Sequence, residues 1–372
     1  MTERLSALLH QEADSLDVPT PLVGDVLTAG RRVRRRRRLT QGVAVVAVLA
    51  VAGGTALLVG GGSDSPDALV ADPAPTGTAD VGAVFSVGNT VYLHGGTTSA
   101  TLPEVVQAMY PTSAGVVLRT NKDGSSDGGA PFHFELVRPD GTVQDLGLTL
   151  GEVVPATDPN EPYLAYAAAR GDSSQVVVVD VTSGDEVARV DVPDEFSWGG
   201  WEAPPVGLAG DVVYVGMDKK AVTVNWRTGE SSTSDVVPGG GIPIVSGGHV
   251  VVQHGESKPV SVVDATTGAT LLDVRAGAYP YVTLSPDGRF AKVVDQEKEQ
   301  GFELYTVETG ASVPIHGAPW EFGWTSDGEL FSVSSQGVDV CSPTTGECSG
   351  SPLPAGVSVD GDLRVMGLMY ES

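Results

Sequence analysis

The chain has 372 residues, 41% of them apolar and 19% charged, the proportions of a folded protein rather than a disordered one. Its net charge of −25 is unevenly spread: residues 1–38 carry eight arginines against five acids, residues 39–62 carry no charge, and the remainder holds 14 basic and 42 acidic residues. A region that acidic repels phosphate backbones, which excludes nucleic acid as a partner of the C-terminal part.

The first 38 residues read as a short helical tail. Leu5, Leu8, Leu9 and Leu16 fall near helical spacing, Asp17-Val18-Pro19 interrupts them, and Thr20 with Pro21 then forms an N-cap and first helical position. Two helices this short bury no core alone. The tail is either a solvated basic segment holding anionic lipid headgroups or a docking peptide for a cytoplasmic partner.

Residues 39–62 read as one transmembrane helix. From Gly42 to Gly62 the sequence is GVAVVAVLAVAGGTALLVGGG, with nothing ionisable between Arg38 and Asp64. At about 1.5 Å per residue this run spans ~31 Å, the thickness of a hydrocarbon core. Arg31 to Arg38 precede it and Asp64 and Asp67 follow it, so the tail is expected in the cytoplasm and residues 63–372 outside. A cleaved signal peptide is the rival reading; it expects a shorter n-region, a shorter apolar run and a small-residue cleavage site. Residues 63–82, rich in Pro, Asp and Ala, form a linker that could reach ~65–70 Å when extended.

Beyond the linker the sequence repeats. A strand, a glycine turn and a second strand recur as FELVRPDGTVQDL from 134, VVVVDVTSGDEVARV from 176, AVTVNWRTGESSTS from 221, SVVDATTGATLLDV from 261, FELYTVETGASVPI from 302 and VDVCSPTTGECSGS from 338. The turn glycines, Gly141, Gly184, Gly229, Gly268, Gly310 and Gly346, are 36 to 45 residues apart, the period of a four-stranded propeller blade. Each unit carries a second hairpin, best seen in VTLSPDGRFAKVV (282–294) and FGWTSDGELFSVS (322–334). Six units fit at 105–146, 153–190, 205–234, 242–274, 281–315 and 321–352. Fragments 83–96 and 356–370, each with two candidate strands, would join as a seventh, removing free sheet edges. The predicted fold is all-β: a β-propeller over 83–372 with seven four-stranded blades, six or eight being the alternatives.

The LSPDGR of residues 284–289 and the recurring D/T-x-x-T-G turns resemble the WD40-like, TolB-type and quinoprotein-like propellers of bacteria. The Trp-Asp and Gly-His signatures of true WD40 repeats do not recur. The order of basic tail, single helix and propeller resembles single-pass membrane proteins of unassigned role in high-GC bacteria. Propellers host enzymes, receptors and scaffolds, so this resemblance implies a fold and no activity.

Cys341 and Cys348, the only cysteines, flank one hairpin turn and are expected to form a disulfide in an oxidising exterior. Zinc would need two further ligands at fitting spacing. The histidines His94, His133, His249, His254 and His316 are scattered over different blades and read as hydrogen-bonded or solvent-facing groups. The loop from Asn121 to Asp127 lacks the bidentate glutamate of a calcium loop. No metal or other cofactor is expected.

The stronger pattern is a face. With strands A to D in order, B–C loops and D–A connections open on the same side of a propeller. The D–A connections are read as holding Phe196, Trp198 and Trp201, then Tyr279 and Tyr281, then Trp320, Phe322 and Trp324. The B–C loops are read as holding Lys122, Lys219, Lys220, Lys258 and Lys298. Aromatics and cations on one face suit an anionic or peptide ligand, or an envelope protein. The competing reading packs the aromatics between blades and leaves the lysines in solvent. The functional expectation is a membrane-anchored, extracytoplasmic, non-catalytic binding or sensing module. The alternative is an envelope propeller hydrolase or oxidoreductase, which would need acids and histidines converging on the central channel.

Overall fold

The repeat turns are built to reverse the chain. In three of them an Asp or Asn ends strand C and its side chain accepts backbone N–H groups of the turn: Asp180 from Thr182 (2.8 Å), Asn225 from Arg227 (3.1 Å) and Asp264 from Thr266 (3.0 Å). The amide of the repeat glycine then closes on the strand-end carbonyl, as Gly184 does on Asp180 and Gly268 on Asp264. This closure needs a left-handed residue, and all six repeat glycines have φ between 69° and 84°. In the computed structural model the hairpins so defined assemble into seven antiparallel sheets of four strands each among the described residues. The residues described are 78–368, except 126–128, 172, 194–195, 198–200, 254–258, 278–279, 297–299 and 360–361. The tail, the apolar segment 42–62 and most of the linker lie outside them. No helix of the described residues is long and apolar enough to cross a membrane.

Six blades follow each other along the chain, with strands running 105–150, 156–192, 206–238, 245–274, 280–315 and 322–351. The remaining blade closes the ring from both ends of the sequence. Its innermost strand, Leu363–Val365, pairs with Phe85–Val87, followed outwards by Thr90–Leu93 and Thr98–Thr101. The closure is therefore one strand from the C-terminal side and three from the N-terminal side, where the sequence reading had two from each. The polar edge strand Thr98–Thr101 lies past the fragment assigned from sequence, and 356–370 contributes a single described strand.

The apolar core lies mainly between blades. Val176 and Val178 of one blade pack with Val213 and Val215 of the next, and Phe302 and Leu304 with Trp324 and Leu330. The closing blade joins both neighbours in one cluster, Phe85 and Val91 meeting Val116 and Leu118 on one side and Phe331 and Val338 on the other. Ahead of the first strand, Ala79 and Val81 are already buried. The Ala79 amide donates to the Thr112 carbonyl, and the Val81 and Gly82 amides to Ser326 Oγ. Thr112 ends an innermost strand and Ser326 lies in an A–B turn, so the chain joins the propeller on the face opposite the B–C loops.

Cys341 and Cys348 are cross-strand partners in the last hairpin and are disulfide-bonded, with Cα atoms 3.9 Å apart.

Candidate ligand site at the mouth of the central channel

The innermost strands of all seven blades enclose a channel, and its wall is mainly apolar, with Thr157, Ser246 and Thr283 as its polar members. Tyr110, Ala156, Val206, Val245, Leu284 and Trp324 line it, one from each consecutive blade, and Leu368 enters from the closing blade. The cavity measures about 170 Å³ and opens to solvent. No charged side chain is among its described lining residues.

At the end of the channel on the side of the B–C loops and D–A connections the chemistry changes. A second cavity of about 300 Å³, sharing Met109 and Leu368 with the first, is bordered by Trp320, Glu321 and Arg364. Trp320 and Glu321 belong to a short 3-10 turn, Pro319–Glu321, that leads into the innermost strand Phe322–Trp324. Arg364 is the middle residue of the closing strand Leu363–Val365. Trp320 is 51% exposed, one of few large apolar side chains so open, and its ring lies 4.9 Å from that of Tyr281.

That turn is held from beneath by a buried lysine. Lys292, on the second strand of the preceding blade, is fully enclosed, and its Nζ donates to the carbonyls of Phe322 (2.7 Å) and Pro319 (3.2 Å). The two acceptors bracket Trp320 and Glu321, so one ammonium ties both ends of the turn. Burial lowers the Lys292 pKa to about 7, while the two carbonyls favour its charged form.

The structure separates the sequence-predicted residues. Trp320 and Tyr281 come together at the mouth. Phe322 and Trp324 belong to the innermost strand rather than to a connection, and both are buried; Trp324 is 1% exposed and its Nε1 donates to Thr283 Oγ1 at 3.3 Å. Phe196 is half-buried against the core of its blade pair, and Trp201 is also half-buried. Lys219 and Lys220 are exposed, and Lys220 pairs with Asp235 at 3.3 Å. Trp198, Tyr279, Lys258 and Lys298 lie outside the described residues. On the same face, Ser197 binds Asp218 through both its amide and its hydroxyl, joining a D–A connection to a B–C loop.

Among the histidines, His249 Nδ1 meets the Gly288 carbonyl at 2.9 Å and His133 meets Glu104 at 2.8 Å. Asn121 pins its own loop, bonding Gly124, Ser125 and Gly129. Arg364 and Lys292 escaped the sequence reading: a single basic residue in a short strand reads the same whether it faces solvent, a pocket or the core.

No family model matches the chain, and no curated protein matches it. Solved structures similar to it include apo AztD from Citrobacter koseri, at 11% identity over 77% of this chain and 96% of that one, with a TM-score of 0.48. TolB from Acinetobacter baumannii is similar at 10% identity over 72% of this chain and 62% of that one, with a TM-score of 0.39. Hsv2p of Kluyveromyces lactis is similar at 13% identity, covering 63% and 75%, with a TM-score of 0.42. At such identities the likeness is one of fold, and no residue or activity is carried over from them.

Proposed function

We propose that the protein is a membrane-anchored, extracytoplasmic binding module whose propeller takes a ligand or an envelope protein at the mouth of its channel. The observation that carries this reading is the mouth pocket itself, which an exposed indole and an arginine both border at the end of a mainly apolar channel. Apolar concavities with a few polar groups at the rim are the usual form of recognition sites. The enzyme reading needs acids and histidines converging from several blades, and neither type is among the described residues of the channel wall.

Two further features support the placement. The Cys341–Cys348 bridge suits an oxidising compartment. Among the described residues, the chain first meets the propeller on the face opposite the mouth pocket, through the bonds of Ala79, Val81 and Gly82. Anchoring would come from residues 42–62 in the bilayer, with the arginine-rich tail cytoplasmic and available to a cytoplasmic partner.

The test is capture of the native partner from cross-linked cells with full-length, tail-deleted and Trp320→Ala baits. The reading expects Trp320→Ala to lose an envelope-side partner while keeping its melting midpoint. Undiminished capture by Trp320→Ala would remove the mouth pocket from the function.

A further inference from the structure

Arg364 and Glu321 border the same pocket, yet neither forms an ion pair with any described residue. Arg364 Nη1 donates to the carbonyl of Leu363 at 3.2 Å and Nη2 to that of Gly124 at 3.5 Å, while its buried Nε has no partner. The guanidinium is thus held by carbonyls, and its charge meets no carboxylate among the described side chains. In a region with three acids for every base, an arginine at a pocket without an acidic partner is unexpected. Glu321 stands at the exposed rim, placed there by the turn that Lys292 ties down.

Resting on the binding reading above, we infer that the mouth pocket binds a small zwitterion, a ligand with a carboxylate, an ammonium and an apolar or aromatic body, of which a free amino acid is the simplest. Each part has a counterpart on the wall. Arg364 keeps a charge that no described carboxylate neutralises, and its Nη1 and Nη2 each have a second N–H, beyond those given to the Leu363 and Gly124 carbonyls, for a ligand carboxylate. Glu321 accepts from an ammonium. The Trp320 indole, backed by Tyr281, offers a flat face for the body of the ligand and attracts a cation lying over it. Met109, Val333 and Leu368 supply apolar wall between them. The cavity of about 300 Å³ suits a small molecule better than a folded partner's loop. Selectivity follows from the two opposite charges. A plain anion satisfies Arg364 but faces Glu321, and a plain cation satisfies Glu321 but faces Arg364; only a ligand carrying both charges gains from each.

The experiment is calorimetric titration of the full-length protein with three probes: L-phenylalanine, 3-phenylpropionate, which lacks the ammonium, and phenethylamine, which lacks the carboxylate. Phenylalanine should bind at least about tenfold tighter than either, the scale of one charge-assisted contact. Arg364→Gln should reduce phenylalanine to the affinity of phenethylamine, and Glu321→Gln to that of 3-phenylpropionate, both with wild-type melting midpoints. Equal affinity for the three probes, no saturation by phenylalanine, or variants that bind it as the wild type does would each overturn the assignment. Partner capture with Trp320→Ala separates the two levels. If capture is lost while phenylalanine does not bind, the zwitterion assignment falls and the binding reading stands; if capture is unaffected as well, both fall.

Discussion

Replacing Lys292 by methionine removes the one ammonium enclosed in the described core while keeping a side chain of similar length. Its pKa falls from 10.5 to about 7 on burial, so between those values the unfolded chain holds a proton that the folded one releases. Stability should therefore rise with pH through this window, by roughly 5 kcal/mol across all of it and about 2 kcal/mol between pH 7 and 9. Below pH 9 the tyrosines pushed up by burial, Tyr166, Tyr214 and Tyr305, are almost wholly neutral in both states and add little; above it their earlier ionisation in the unfolded chain opposes the gain. The methionine variant loses the two bonds to Pro319 and Phe322 but also the buried charge, and replacing a buried ion by an apolar group of like volume is often neutral. Denaturant unfolding of both proteins at pH 7 and pH 9 reads the difference directly. The wild type should gain about 2 kcal/mol and Lys292→Met almost nothing. Parallel behaviour of the two proteins would refute the account of Lys292 as a buried ammonium whose burial penalty exceeds what its two carbonyl acceptors return.

Trp324→Ala should lower stability by about 3–5 kcal/mol, as expected for a fully buried aromatic, whereas Trp320→Ala should leave the melting midpoint nearly unchanged; thermal scans of both variants check the contrast. Mass spectrometry of unreduced native protein should show the Cys341 and Cys348 peptides joined, and two freely alkylated thiols would count against both the bridge and the outside location. Reducing that bridge should cost ~2.5 kcal/mol on the chain-entropy account of a small loop, measurable as a shift in the unfolding midpoint. Protease added to intact spheroplasts should digest the propeller, and a protected C-terminal tag would reverse the proposed topology.

Most of the architecture was legible because propeller turns leave a chemical trace. A left-handed glycine recurs in the C–D turn of six blades, after an Asx-type strand end in three of them, and the alternation around it marks the strands. The closing blade was harder: Thr98–Thr101 is short and polar, so nothing in its pattern separates an outer strand from a loop. The aromatic clusters were visible, but alternation does not say where a connection ends and the innermost strand begins. Trp320 and Trp324 are four residues apart, and one is open to solvent while the other is packed between blades. The charged part of the mouth was not legible. Arg364 reaches it only because the C-terminal strand closes the ring beside the turn carrying Trp320, a contact made by topology rather than by local pattern.

The central claim is that recognition occurs at the channel mouth on the B–C face. Its most direct test is site-specific photo-cross-linking in living cells, with benzoylphenylalanine placed at position 320 and, as a control, at Thr344, an exposed turn residue on the opposite face. The account predicts a discrete adduct from position 320 that disappears with Arg364→Gln, and none from position 344. An adduct from 344 alone, or from both positions equally, would contradict it.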